Sequence, residues 1–293
     1  MRVGLQIPNF TWQGGPEKLR TTMADMARTA ESIGFSSVWV MDHFFQIPSV
    51  GPAENDMLES WSTLAYLAGV TEHVKLGTMI TGVTYRHPGL LAKTVTTLDV
   101  LSGGRAYLGI GAAWYEREHL ALGVPFPPRA ERFRRLEEAL QIIQQMWSGN
   151  RGPYQGKYYQ LAETMNVPQP LSKPHPPIMV GGGGEQKTLR LAARYGDAVN
   201  IFGDAATVKH KYEVLQHWCE VEGRPYDALE RTTLQSVNPA MLKDGAQVEE
   251  MINRFTALAE VGVQHLIINM IAAQDASPLE TFGRDVMPAL ESL

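Results

Sequence analysis

The amino-acid sequence predicts an α/β protein folded as a single (β/α)₈ TIM barrel over residues 1–293, and three observations carry that expectation. Short apolar or β-branched runs alternate with longer stretches of helical spacing, the alternation repeats eight times, and the strand candidates are apolar nearly throughout. Successive strand–helix pairs imply parallel strands joined by helical crossovers, in a closed barrel or a doubly wound sheet. Eight pairs with strands buried on both faces favour the barrel, and 293 residues suit one such unit.

The elements follow in order. Val3–Pro8 reads as the first strand, and 17–33 as a helix that puts Leu19, Met23, Met26, Ala27, Ala30 and Ile33 on one face. Gly34 stops that helix before a second strand at 36–40. Helix 60–70, strand 74–79, helix 88–101 and strand 106–109 come next, then a long amphipathic helix over 129–147. Strand 178–180, helix 186–195, strand 198–202 and helix 205–221 continue the alternation. Strand 232–237, helix 248–261, strand 265–269 and a closing helix over 278–290 complete it. Two connections are unusually long, 41–59 after strand two and 148–177 before strand five. Loops of that length in a compact domain are usually lids or functional insertions. In a barrel, chemistry sits where strands end and these loops begin.

Composition narrows the function. Apolar residues make up 44 % and charged residues 19 %, enough to fill a core. A net charge of −5 argues against a nucleic-acid partner, which needs a basic face. No apolar run reaches the ~18 residues of a membrane span, and MRVGLQIPNF lacks the basic and apolar segments of a signal peptide. A cytoplasmic protein acting on a small molecule is expected. The single Cys219 offers no disulfide or thiolate cluster, and the eight histidines show no HxH or HExxH spacing, so no metal site is expected.

Several segments carry candidate chemistry. Asp42-His43 follows strand two, where a histidine can exchange a proton and a neighbouring carboxylate can orient it; capping by Asp42 is the simpler alternative. Gly181, Gly182, Gly183 and Gly184 join strand five to a helix, so that backbone N–H groups and the helix dipole can cradle a phosphate. Glu185 would oppose that phosphate unless it points away. Gly109-Ile-Gly-Ala-Ala-Trp114 begins like a dinucleotide fingerprint, but it lacks the third glycine and a ribose-binding acid. Its Gly111 and Ala112 instead let a planar ring approach the backbone. Glu116 and Glu118 follow, each able to supply an acid or to open the loop as a solvated charge. After strand three, Thr81 and Thr84 offer hydroxyls, and Arg86 and His87 can hold an anion or cap the next helix. Trp12, Trp39, Phe44, Phe45, Trp61 and Trp114 are candidates for an apolar wall or for the core.

Six blocks together resemble the luciferase-like flavin/deazaflavin oxidoreductases, nearest their coenzyme F420-dependent branch: VGLQIP, GFSSVWVMDHF, VKLGTMITGVTYRHP, TLDVLSGGRAYLGIGAAWYEREH, PFPPRAERFRRLEEAL and PIMVGGGGEQKTLRLAARYGDAVNI. The resemblance runs essentially the whole length. It implies a deazaflavin ring over the ends of strands one to four, its phosphate near Gly181–Gly184, and His43 beside the reacting ring carbon. It also implies a bulge after strand three with a non-prolyl cis peptide at Met79–Ile80, and it brings Thr81, Gly111, Ala112 and Trp114 to the cofactor. Some F420-dependent dehydrogenases carry a proton-donating glutamate where Trp114 stands, which leaves Glu116 or a substrate group for that role. Members are often homodimers. The activity implied is hydride transfer between F420 and a small organic substrate. An FMN-dependent monooxygenase on the same barrel is the alternative, and a non-catalytic deazaflavin carrier a more distant one.

Overall fold

A computed structural model describes all of residues 1–293. Eight strands close a parallel barrel: β1 (Arg2–Ile7), β2 (Ser37–Val40), β3 (Lys75–Thr78), β4 (Ala106–Gly111), β5 (Ile178–Gly181), β6 (Ala198–Ile201), β7 (Glu230–Ser236) and β8 (His265–Asn269). Each pairs with its sequence neighbours, and β8 returns to β1 with Arg2 opposite His265, so no edge is left open. The outer ring is α1 (Pro16–Ser32), α2 (Ser60–Ala68), α3 (Pro88–Leu101), α4 (Glu116–Leu122), α5 (Arg129–Trp147), α6 (Thr188–Tyr195), α7 (Ala205–Val221), α8 (Gly245–Glu260), α9 (Ser277–Asp285) and α10 (Met287–Glu291). No helix is long and apolar enough to cross a membrane.

The strands alternate between two cores, as their period of two requires. On β8, Leu266 and Ile268 join the core between strands and helices, whereas Ile267 points into the barrel. Trp39, Tyr107, Met179 and Ile267 fill that interior, with the Trp39 and Tyr107 rings 5.0 Å apart. Gly77 makes room for Trp39, because a Cβ there would sit 2.5 Å from the indole.

The bulge that the resemblance implies is present, and two other expectations change. Strand three is interrupted: Gly77 pairs with Tyr107, and Thr81 with Ile110, so four steps on one strand face three on its neighbour. That extra residue is a β-bulge, and it re-aims Met79 and Ile80. Residues 116–122, expected as loop, form α4, ended by Gly123 in the left-handed region at φ 71°. The closing helix is two helices, α9 and α10, meeting at Val286. The long segment before β5 holds only a small antiparallel hairpin, Tyr154–Gln155 with Gln160–Leu161.

Candidate active site

A cavity of about 760 Å³ opens at the C-terminal ends of the strands, lined by at least one residue from the end of each strand or the loop that follows it. Its floor is Met79 and Ile80, joined by a cis peptide bond as the resemblance implies. Ile80 lies over three positions without side chains: a Cβ on Gly109, Gly111 or Gly181 would come within 2.8, 2.5 or 2.4 Å of it. Gln6 donates to the Met79 carbonyl at 3.4 Å and accepts from Asn269 Nδ2 at 2.9 Å. The buried Asn269 Oδ1 has no partner within the protein.

His43 stands at the rim of this floor with its Nδ1 2.7 Å from Glu118 Oε1. Glu118 is fully buried, and its carboxylate also accepts from the Tyr85 hydroxyl and from the amides of Phe44 at 2.9 Å and Phe45 at 3.2 Å. Burial pushes its pKa up, but the hydrogen bond and charge of His43, then Tyr85 and the Phe44 amide, hold it below the ordinary carboxylate range. Burial first, and Glu118 second, push the Tyr85 hydroxyl far up, so Tyr85 remains a donor. An ionised carboxylate only accepts, so His43 carries a proton on Nδ1, which leaves Nε2 as the ring nitrogen able to exchange one with a ligand. Nε2 makes no hydrogen bond within the protein, and His43 lines the cavity.

Asp42 has a different part. Its buried carboxylate takes both Arg86 nitrogens, at 2.6 and 3.0 Å, and the Ser60 hydroxyl at 2.7 Å, and it makes no bond to His43. Arg86 also pairs with Glu59, which caps α2. This network clamps the loop after β2 to the loop after β3 and leaves Arg86 committed. His87 caps α3 through the Gly89 amide.

The glycine loop forms the opposite wall. Gly182 adopts φ 119°, a conformation that favours glycine, and a Cβ on Gly184 would lie 2.8 Å from Thr188 Oγ1. The α6 N-terminus begins two residues later than expected, at Thr188, which lines the cavity. Glu185 is turned toward α7, held by Lys211 at 2.5 Å and His210 at 3.1 Å, which lower its pKa. It does not oppose an anion in the loop. Arg132 donates to the carbonyls of Pro127, Ala112 and Ala113, fixing the turn after β4, where Ala113 has φ 59°.

Of the expected site residues, His43, Asp42, Met79, Ile80, Thr81, Ala112, Trp114 and Gly181–Gly184 line the cavity. Gly111 lies just outside it, beneath Ile80. Glu116 is exposed on α4 and does not line it. Glu118, on the opposite face of the same short helix, is the carboxylate that reaches His43. Of the candidate wall aromatics only Trp114 lines the cavity, 5.5 Å from the His43 ring. Trp12, Trp39 and Trp61 are core.

The family model for luciferase-like monooxygenases matches residues 1–286. This chain belongs to the luciferase-like monooxygenase family. Among its relatives, an F420-dependent glucose-6-phosphate dehydrogenase of Kineococcus radiotolerans is 33 % identical over 271 residues, 89 % of this chain and 77 % of that one. An F420-dependent hydroxymycolic acid dehydrogenase of Mycobacterium tuberculosis is 35 % identical over 183 residues, 62 % of this chain and 49 % of the relative. Among solved structures, an F420-dependent secondary alcohol dehydrogenase in complex with an F420–acetone adduct superposes with a TM-score of 0.82 at 21 % identity, covering 99 % of this chain and 98 % of its own. A riboflavin lyase with modified FMN and riboflavin gives 0.83 at 13 % identity, covering 100 % and 91 %. At those identities the structures share the barrel of this luciferase-like chain.

Proposed function

We propose that this luciferase-like chain is an oxidoreductase that binds coenzyme F420 in the rim cavity and exchanges a hydride with a small organic substrate. The observation that carries the reading is His43, held by Glu118 with a free Nε2 at the edge of an apolar floor. The F420-dependent relatives support it.

The residues fit the group. The volume is within the ~300–1,000 Å³ of small-molecule sites, the Met79–Ile80 floor offers a flat apolar support, and the orphaned Asn269 Oδ1 awaits a donor. Gly181–Gly184 and the α6 N-terminus would hold the phosphate, while Ala112 and Thr81 would border the ring. Bound there, the deazaflavin supplies the hydride chemistry. His43 Nε2 takes or returns the proton on the substrate oxygen, Glu118 stabilises the imidazolium that results, and Trp114 covers the His43 ring from solvent. Asp42 acts through Arg86 by fixing the loop that carries His43. Glu116, remote from the cavity, has no part in this scheme.

The first experiment titrates the protein separately with F420 and FMN, following cofactor fluorescence, and repeats both with His43→Ala. Micromolar F420 binding with little FMN binding, retained in the variant, is expected. Preferential FMN binding would overturn the F420 reading in favour of an oxygen-using flavin enzyme. Binding of neither would remove the proposed function.

A further inference from the structure

Positive charge around the cavity is confined to one side. Arg129 and Arg132, both early in α5, are the only lysine or arginine side chains that line it. Arg132 is committed to three backbone carbonyls. Arg129 shares the Phe133 ring with Lys187 of the glycine-loop segment, at 5.9 and 5.5 Å from its centroid, which assigns both cations to the phosphate side. The rest of the mouth is Ile47, Val50, Trp114, Phe202, Leu234 and Ile271, and the polar groups among them, Ser49, Ser236 and Asn269, are neutral. Trp114 and Phe202 are 56 % and 55 % exposed, a large apolar area beside a site that already holds a proton-transfer group.

A phosphorylated substrate would place a dianion against that wall with no cation to meet it, in a chain whose net charge is already −5. We infer that the substrate bound beside His43 is instead an uncharged, mainly apolar alcohol or the matching ketone, its carbon chain lying along Phe202, Leu234 and Ile271. In the oxidising direction the carbinol carbon gives its hydrogen and two electrons, as hydride, to the deazaflavin. The hydroxyl proton goes to His43 Nε2 and the C–O bond becomes C=O; the reverse direction returns both. This assignment rests on the F420 reading and separates the chain from the sugar-phosphate chemistry named for its Kineococcus relative.

The test is calorimetric titration of the F420-loaded protein with alkan-2-ols from 2-propanol to 2-octanol, and with glucose 6-phosphate. Affinity is expected to rise about three- to fourfold per added methylene and to be insensitive to salt. Glucose 6-phosphate is expected to bind more weakly than 2-octanol. Phe202→Ala should flatten the long-chain end of the series, with F420 affinity, measured by fluorescence, showing that the variant is folded. A series without slope, or tight glucose 6-phosphate binding that weakens with salt, overturns the assignment while leaving F420 binding intact. Failure of F420 to bind at all takes the cofactor reading and this assignment down together.

Discussion

Both ends of the barrel carry a histidine whose Nδ1 meets a glutamate carboxylate that also accepts from a tyrosine hydroxyl. At the rim the trio is His43, Glu118 and Tyr85, with Nδ1 to Oε1 at 2.7 Å. At the opposite end it is His265, Glu230 and Tyr107, with Nδ1 to Oε1 at 2.8 Å and the tyrosine hydroxyl at 2.9 Å. The two differ at the far nitrogen. His265 Nε2 lies 2.9 Å from the Ser37 hydroxyl, which also accepts from Trp39 Nε1 at 2.7 Å, and the residue is sealed in the interior. His43 Nε2 has no protein partner and faces a cavity. A histidine–carboxylate pair is therefore no signature of chemistry by itself. Access to the second nitrogen is what leaves His43 open to the proton transfer proposed for it, while His265 holds the fold together.

Substitutions at the two ends should separate these roles. His43→Ala should lower the hydride-transfer rate by about 10²–10⁴-fold and lower the urea midpoint less than the Glu230 variant does, because Tyr85 and the Phe44 and Phe45 amides still meet Glu118; an equal loss of stability would collapse the contrast. Glu230→Ala should do the reverse, destabilising the chain by about 3 kcal/mol because His265 and Tyr107 lose their acceptor. Urea unfolding measures this, and F420 affinity of the folded variant should hold. Glu118→Gln lies between them. Loss of one charge-assisted hydrogen bond to His43 is worth about 1.5–3 kcal/mol, about ten- to a hundredfold in rate. Single-turnover kinetics on F420-saturated protein isolate that step, and an unchanged rate would show that His43 works without its carboxylate.

The smallest effect is on pH. Burial lowers the pKa of His87 and His119 in the folded protein. Groups with depressed folded values contribute stability above their unfolded value that is lost as pH falls, so slight loss should begin below the ordinary histidine value of 6.5. Glu118 and Glu230 are also depressed, despite the opposing effect of burial, by their hydrogen bonds to histidine, so a second and steeper loss should set in below the carboxylate value of 4.5. Denaturation midpoints across acid pH resolve the two stages. Glu118→Gln and Glu230→Ala should each shallow the lower one.

Most of the barrel was legible because each strand and helix buries a face that the residue periods reveal. Helices 88–101, 129–147 and 205–221 begin and end where the spacing places them. The site was legible only in part, because its partners are remote in sequence. Asp42 and His43 are neighbours at a strand end, where consecutive side chains diverge, so one reaches Arg86 and the other Glu118. Glu116 and Glu118 looked alike as charges opening a loop. Recognising seven residues as a helix would have put them on opposite faces, but so short a segment gives too few turns for a clear period. The bulge at 79–80 was accessible only through family resemblance, since no residue pattern in Met-Ile-Thr-Gly marks it.

The glycines under Ile80 bear on how variants of this protein will be read. Gly111 does not line the cavity, yet a methyl group on it would collide with Ile80 and push it toward the space a ligand needs, whereas one on Gly109 would first strike the Thr78 carbonyl. A mutational scan scored only by cofactor retention would mark Gly111 as a contact position. Second-site suppressors would then appear at Ile80, as smaller side chains, rather than on any surface the ligand touches. The depth of the pocket is inherited from atoms that are missing one layer below it.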